Sequence, residues 1–365
     1  MADLKRLLVV NAGSSSTKCS VLDENDVLVE HLGLPAPGEP AVAQGIEVLL
    51  DRFAPAASVH RVVHGGPRFH QAVLVDASVE ADIAALGDLA PLHNPPGLAL
   101  LERVRKVAPD LPAIACFDTA FFAGLPETAS TYALPAEWRS RFAIRRYGFH
   151  GLSHAWASRR VAELVVRRPE ELRVVSAHLG AGASLAAIVN GHPLDTTMGF
   201  TPLDGLVMAT RPGSVDPGVI TLVLRHSRMD VDQVEDALER RSGLVALAGT
   251  PDLEEVIERV EGGDHRAELA YGVYLHRLRA GIAAMAAAMG GIDALVFTGG
   301  AGEAPGPMRS DTCRGLGFLG LHADGRTGEG SDDRLLSGDR FPAVAVVHSR
   351  EDLQMAHQAR EVLGW

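Results

Sequence analysis

Four residues stand where their side chains could act on an anion. Arg61 sits in His60-Arg61-Val62-Val63-His64-Gly65-Gly66, polar and apolar residues in alternation ahead of two glycines, the pattern of a strand that delivers one side chain to a cleft. A surface or salt-bridged arginine is the plainer reading. Asp118 lies in Cys116-Phe117-Asp118-Thr119-Ala120-Phe121. A carboxylate among such neighbours is costly to bury unless a cation, a metal or hydrogen-bond donors meet it; an aspartate opening the next helical turn as its N-cap accounts for the segment equally well. His150 lies between glycines and beside aromatics in Tyr147-Gly148-Phe149-His150-Gly151-Leu152-Ser153-His154, where backbone freedom allows an imidazole to face a ligand. His150 and His154 are four apart, but no HExxH accompanies them and a zinc pair is not expected. Arg211 belongs to Thr210-Arg211-Pro212-Gly213-Ser214-Val215-Asp216-Pro217, which follows the Thr- and Gly-rich run Thr196 to Leu206. That composition suits a binding loop, with a structural loop carrying an exposed arginine as the alternative.

The elements around these residues repeat. A strand over Arg6 to Val10, a tight turn Asn11-Ala12-Gly13-Ser14-Ser15-Ser16 and a second strand Thr17 to Leu22 open the chain. The same layout returns as strand Val174 to Ala177, turn His178-Leu179-Gly180-Ala181-Gly182-Ala183 and strand Ser184 to Val189. A third glycine-rich turn, Thr298-Gly299-Gly300-Ala301-Gly302-Glu303, follows the strand Leu295 to Phe297. Such turns are by themselves ordinary hairpin turns. Consecutive backbone N–H groups in glycine-rich turns also make concave anion sites, and three of similar layout, the first beside Lys18, suit a polyphosphate. Neither GxxxxGK[ST] nor a strand-helix GxGxxG is present, which excludes the two familiar nucleotide signatures.

Helical patterns separate these strands at Ala81 to Leu86, Leu98 to Val107, His154 to Val166, Ile220 to Leu224, Val231 to Arg240 and Glu268 to Met289. A strand at Ala343 to Val347 precedes a last helix, Glu351 to Leu363, which could fold back onto the first domain. The segment Asp324 to Asp339, rich in Gly, Asp and Arg, reads as a surface loop. Strands and helices in alternation give an α/β class, and 365 residues favour two domains.

A hydrophobic fraction of 47% is that of an ordinary globular chain. A formal net charge of −12 argues against a general nucleic-acid binder or an anionic-membrane partner, so any phosphate site must be locally basic. Cys19, Cys116 and Cys313 are scattered, which suits reduced cytosol rather than a disulfide framework. The apolar runs at Leu7 to Val10 and Ala280 to Gly291 are too short for a targeting or spanning segment.

The blocks NAGSSSTK (Asn11 to Lys18), HRVVHGG (His60 to Gly66), LAPLHNPP (Leu89 to Pro96), FDTAF (Phe117 to Phe121), YGFHGLSH (Tyr147 to His154) and MGFTPLDGLVMATRPGSVDP (Met198 to Pro217) resemble those of the acetate kinase family, in its order and over nearly the whole chain. The resemblance implies two duplicated RNase H-like domains of the actin/hexokinase type with a cleft between them, 1–118 plus 351–365 and 119–350, and a homodimer. It implies reversible in-line transfer of the γ-phosphoryl group of ATP to acetate, giving acetyl phosphate and ADP, with Mg²⁺, or Mn²⁺ in its place. An acetate ion needs no strong base at neutral pH, so the protein has to supply positioning and positive charge.

On the matching positions, Arg61 would hold the substrate carboxylate, and Arg211 and His150 would stabilise the phosphoryl oxygens in flight. Asp118 would orient that set, while Asn11 and Glu351 would hold the metal directly or through water. Val63, Leu92, Phe149 and Pro202 match the pocket for the acyl methyl, with His93 in support. A pocket of that kind separates acetate from propionate by only ~1–3 kcal/mol. Ser14, Ser16 and Lys18 would line the phosphates; His178, Leu179, Gly180, Ala181, Gly182, Asp252, Gly300, Ala301, Gly302 and Glu303 would line the nucleotide.

Departures from the family pattern fall on the nucleotide side. Ala181 stands where Asn is usual, Ala304 where Asn commonly follows the glutamate, Arg350 where Asn precedes Glu351, and Glu254 where an Arg is expected. The same chemistry with pyrophosphate or another nucleotide is therefore one alternative. A roomier butyrate kinase is disfavoured by the intact MGFTPLDGL, and a catalytically silent actin-like protein by the joint presence of Arg61, Asp118, His150 and Arg211.

Overall fold

The computed structural model describes residues 5–13, 16–90, 94–323 and 333–365. It divides into two compact units: Met1–Ala123 with Phe149–Leu152 and Arg350–Trp365, and Gly124–Gly148 with Ser153–Ser349. The expected Ser14, Leu92 and His93, and 324–332 of the loop, lie outside the described residues.

In the first unit, β1 (Leu7–Ala12), β2 (Thr17–Leu22), β3 (Leu28–Leu34), β4 (Ala57–Val62), β5 (Val73–Leu74) and β6 (Ala113–Phe117) form one sheet in the order β3-β2-β1-β4-β6-β5. β1 pairs antiparallel with β2 and parallel with β4, and β4 pairs parallel with β6. Apolar residues on both faces of the central strands demand cover on both sides. Helix Pro40–Phe53 buries Val42, Ile46, Leu49 and Leu50, one stripe of a 3.6-residue repeat, against Leu8, Val10, Cys19 and Val21. On the other face, helix Glu351–Leu363 lays Met355, Ala356 and Ala359 against Leu7, Val9, Val59, Ile114 and Cys116.

The second unit repeats this plan. β7 (Arg173–Leu179), β8 (Ala183–Val189), β9 (His192–Thr196), β10 (Ala294–Thr298), β11 (Arg334–Leu335) and β12 (Ala343–Val346) run in the order β11-β12-β10-β7-β8-β9. Read from its other edge, this is the first order with six added to each strand number, and the pairing directions agree: β7 is antiparallel to β8 and parallel to β10, and β10 is parallel to β12. The duplication legible in the hairpins extends to both whole sheets. The 24-residue helix His265–Ala288 buries Tyr274, Leu278, Ile282 and Met285 in this unit.

Most of the helices begin earlier than the sequence patterns suggest, and some end sooner. The pattern at Ile220 to Leu224 is helix Pro217–His226, with Asp216 as N-cap and Pro217 at the first position. The one at Leu98 begins at Asn94, and that at His154 begins at Gly151 and ends at Leu164. Residues Asn11 and Ala12, expected in a turn, continue β1. Part of the expected loop Asp324 to Asp339 is ordered as β11, antiparallel to β12. No helix among the described residues is long and apolar enough to cross a membrane.

Candidate active site

Strand parity builds the charged part of the first unit. Val9, Val59 and Cys116 occupy neighbouring strands and pack together beneath helix Glu351–Leu363. Two residues on in each strand direction, the side chain returns to the same face, and those positions are Asn11, Arg61 and Asp118. They form a row just past the apolar core at the carboxyl ends of β1, β4 and β6, where open α/β sheets place ligands. Lys18, paired in register with Asn11, extends the row on β2 and is exposed. Glu351, the first residue of the covering helix, closes it from above.

The row is bonded end to end. Arg61 donates through Nε to Asp118 Oδ1 at 3.0 Å and through Nη2 to Oδ2 at 2.5 Å, and its Nη1 donates to Asn11 Oδ1 at 3.2 Å. Asn11 Nδ2 donates to Glu351 Oε2 at 2.7 Å, and the same oxygen lies 4.0 Å from Arg61 Nη1. The Asp118 side chain is 1% exposed and that of Arg61 13%. Burial works against the Arg61 charge, but Asp118 and Glu351 overcome it and raise the guanidinium above its ordinary value. Burial is also the largest influence on Asp118 and raises it; the Arg61 fork and the His150 backbone N–H pull the other way. A guanidinium does not give up its proton, so the two remain an ion pair. The N-cap reading of Asp118 is thereby replaced: its carboxylate turns to an arginine 57 residues away in sequence.

Loops fix the row from both sides. Gly151 N donates to Asp118 O at 3.0 Å, and a Cβ on Gly151 would stand 2.1 Å from that oxygen. Only glycine lets the segment carrying His150 lie this close. His150 itself has φ +57°, is half-buried, and follows the buried Phe149, whose ring meets that of His64 edge-on at 5.4 Å. Asn94 pins the His64-Gly65 corner by accepting from His64 N (3.0 Å) and donating to His64 O (2.9 Å), and Thr119 Oγ1 accepts from Gly65 N at 2.9 Å. Val63 is buried beside this corner. Neither Asn94 nor Thr119 was marked by sequence reasoning, although both lie inside quoted blocks.

In the second unit Arg211 is held by a partner that sequence reasoning missed. Its Nε donates to Glu239 Oε2 at 2.6 Å, with side-chain exposures of 16% and 11%. Thr210 Oγ1 donates to the Glu239 carbonyl at 2.7 Å, which anchors the loop to the end of helix Val231–Arg240. Among the described residues this is the one hydrogen bond of the guanidinium, leaving the Nη edge for an oxyanion. Arg146 Nη1 donates to the carbonyls of Thr196, Thr197 and Met198 at 3.1–3.2 Å and so shapes the start of the loop; Pro202 is buried within it.

The glycine turns divide by role. In the first, Gly13 N donates to Ser16 O at 2.9 Å. In the second, Gly180 N donates to Gly182 O at 2.9 Å, and the Ala181 carbonyl accepts from Ala209 N, tying this turn to the Arg211 loop. Leu179 buries its side chain completely, so only its backbone can meet a ligand, whereas Ala181 is exposed. His178 Nδ1 lies 2.7 Å from Ser153 Oγ, and His154 bridges Ser176 and Ser184 at 2.8 Å each. Gly300, Ala301, Gly302 and Glu303 form a single helical turn, with the Glu303 carboxylate folded back on Gly299 N at 2.8 Å. Asp252 accepts from Glu254 N at 2.9 Å as N-cap of helix Leu253–Glu261.

No group of three His, Cys, Asp or Glu side chains gathers as metal ligands among the described residues. The oxygens of Asn11, Asp118 and Glu351 suit a hard cation that keeps much of its water, and the nearby Arg61 disfavours a fully dehydrated ion.

The model of the acetokinase family matches residues 47–357 of the chain. An acetate kinase of Trichormus variabilis is 45% identical over 307 residues, 83% of this chain and 76% of that protein. The crystal structure of Porphyromonas gingivalis acetate kinase superposes with a TM-score of 0.89 at 33% identity, covering 98% of this chain and 100% of the other. A propionate kinase from Francisella tularensis gives a TM-score of 0.89 at 31% identity over 97% of this chain and 98% of its own.

Proposed function

The chain belongs to the acetokinase family, and from that premise we propose that it phosphorylates acetate from ATP, reversibly, by direct transfer to the carboxylate. The observation that carries the reading is the buried row Asn11-Arg61-Asp118-Glu351, an arginine fork preset by a carboxylate at the open end of the first sheet. Three of the five N–H groups of Arg61 are engaged in that row. The remaining two, one on Nη1 and one on Nη2, are the donors proposed for a carboxylate of the substrate.

The steps assigned to this chain are binding, orientation and charge stabilisation. Arg61 fixes the acetate so that one oxygen is aimed for in-line attack, while Val63 and Phe149 surround its methyl. Asp118 keeps the Arg61 plane from turning. As negative charge spreads over the equatorial phosphoryl oxygens, the Nη edge of Arg211 and the His150 imidazole meet it; Glu239 holds Arg211 ready, so little reorganisation is needed at the moment of transfer. Asn11 and Glu351 would hold Mg²⁺, directly or through water, and the ion would supply positive charge against the nucleotide phosphates. Ser16, Lys18 and the turn amides around Gly180 and Gly300 take the phosphates.

Helix Pro217–His226 supports a homodimer. None of its ten residues is buried, and Val219 and Leu222, three apart on one side of the helix, are exposed, an apolar face that a second copy would cover. Buried free thiols at Cys19, Cys116 and Cys313 suit a cytoplasmic setting.

The deciding experiment incubates purified protein and Mg²⁺ with ATP, GTP or pyrophosphate crossed against acetate, propionate and butyrate, trapping acyl phosphate with hydroxylamine. Product from ATP and acetate is expected, with propionate second. Absence of acyl phosphate from every pair removes the reading; product from pyrophosphate alone keeps the chemistry and replaces the donor, the alternative that Ala181 and Glu254 motivate.

A further inference from the structure

The carboxylate of Glu303 is already spoken for. Its Oε1 accepts from two backbone amides, Gly299 N and Ser349 N, each at 2.8 Å. Its Oε2 faces His348 Nε2 at 4.0 Å. His348 is held on its far side by Asp333, whose Oδ1 accepts from His348 N at 2.8 Å and lies 3.2 Å from Nδ1. Asp333 in turn accepts from Arg160 Nε at 2.6 Å. Burial opposes the Asp333 charge, but the His348 N–H and the Arg160 and His348 side chains hold it below its ordinary value.

The two amides lie just past the ends of neighbouring parallel strands, β10 and β12, beyond their last shared backbone bond, Val347 N to Phe297 O at 2.9 Å. Gly299 opens the third glycine turn at the end of β10, in the left-handed region at φ +80°, and a Cβ there would stand 2.9–3.1 Å from the Leu179 backbone of the second turn. Ser349 ends the segment after β12, and its hydroxyl lies 3.5 Å from Ser153 Oγ, which is 2.7 Å from His178 Nδ1. One carboxylate oxygen thus joins the third turn to the segment that leads from β12, and each of these lies against the second turn, Gly299 at Leu179 and Ser349 through Ser153 at His178. The far end of the short helical turn is fixed independently, by Arg309 Nη1 donating to Gly302 O and Ala304 O.

We propose that Glu303 is a positioning residue: it sets the spacing of the second and third glycine turns, and thereby the nucleotide subsite, without touching the nucleotide. Part-buried amides that lose their acceptor must find another or move, and one of these two, Gly299, opens a turn whose amides are the means of gripping phosphate. The proposal rests on the nucleotide reading of those turns only for its effect on catalysis; the structural lock stands without it.

The test compares Glu303→Ala with Glu303→Gln, whose amide oxygen can still accept both N–H bonds, and with Glu303→Asp, whose shorter arm cannot reach both, in case the alanine variant does not fold. Hydrogen exchange without nucleotide reads the lock directly. The Gly299 and Ser349 amides should exchange at least tenfold faster in Glu303→Ala or Glu303→Asp and within threefold of wild type in Glu303→Gln. In steady state, the KM for ATP should rise tenfold or more in the alanine or aspartate variant with the KM for acetate within twofold, and glutamine should restore it. Unchanged exchange at both amides overturns the lock whatever the enzyme's donor proves to be. Glutamine as damaging as alanine to the ATP KM, with exchange unaltered, would instead make Glu303 a direct ligand. A wild-type enzyme that ignores ATP leaves the exchange result standing, so the two failures are separable.

Discussion

Replacing Asp118 by alanine tests the central row most directly. The carboxylate is 1% exposed and meets Arg61 through two hydrogen bonds, and it also receives the His150 backbone N–H. Without it, a guanidinium whose side chain is 13% exposed keeps only Asn11 Oδ1 and the Glu351 oxygen at 4.0 Å. Removing one partner of a buried pair costs ~3–5 kcal/mol; Glu351 and the residual exposure place this case near 3. We expect urea unfolding to report a loss of about 3 kcal/mol and the hydroxamate assay a fall in kcat/KM of about a thousandfold, equivalent to ~4 kcal/mol, because the released fork no longer orients acetate. Arg61→Ala should do similar damage, and the double variant should be less destabilised than the sum by at least ~1.5 kcal/mol, since no charge is then left buried alone. Stability losses that add to within ~0.5 kcal/mol would refute the account of Asp118 as the setter of Arg61.

Glu239→Ala should free Arg211 and lower kcat about a hundredfold, with Glu239→Gln near tenfold, since a charge-assisted bond carries ~1.5–3 kcal/mol; a kcat unchanged in both variants would show that Arg211 needs no tether. Gly151→Ala drives a Cβ to 2.1 Å from Asp118 O and 2.8 Å from Phe121 Cβ, so a loss above ~3 kcal/mol in unfolding and near-complete loss of activity are expected. Burial holds His60 down at about 3 and His64 at about 4, whereas the unfolded chain binds these protons near pH 6.5. Their contribution is complete above pH 6.5 and is lost as pH falls toward 4, at ~1.4 kcal/mol per pH unit for each. Burial lowers His154 as well, so unfolding at pH 6 and pH 5 should differ by up to about 4 kcal/mol, and His60→Leu should remove about a third of that slope.

What the sequence disclosed follows from range. The hairpins around Gly13 and Gly180 were readable because apolar alternation and a glycine break are local signals, and the mirrored order of the two sheets bears out the duplication they suggested. Arg61 and Asp118 were visible as candidates, yet their local sequences could not choose between surface arginine and salt bridge, or between N-cap and buried charge; pairing across 57 residues made the choice. Asn94 and Thr119 escaped because their work is to bind backbone groups of a distant corner. Glu239 sits on an amphipathic helix where an acidic residue reads as solvated surface, and only the fold turns it toward Arg211. Glu303 was visible as a candidate through its motif, but which atoms its carboxylate meets depends on Ser349, 46 positions later.

The helix that roofs the first sheet also governs how the polypeptide matures. Cys116 and Met355 touch across 239 positions, so during synthesis the early strands emerge with Val9, Val59 and Ile114 bare on one side and wait for nearly the entire second unit to be translated. A nascent chain in that interval exposes a sticky surface of the kind chaperones recognise. It also lacks Glu351, which arrives on the same late helix, so a prematurely terminated product would miss both its roof and one residue of the proposed site.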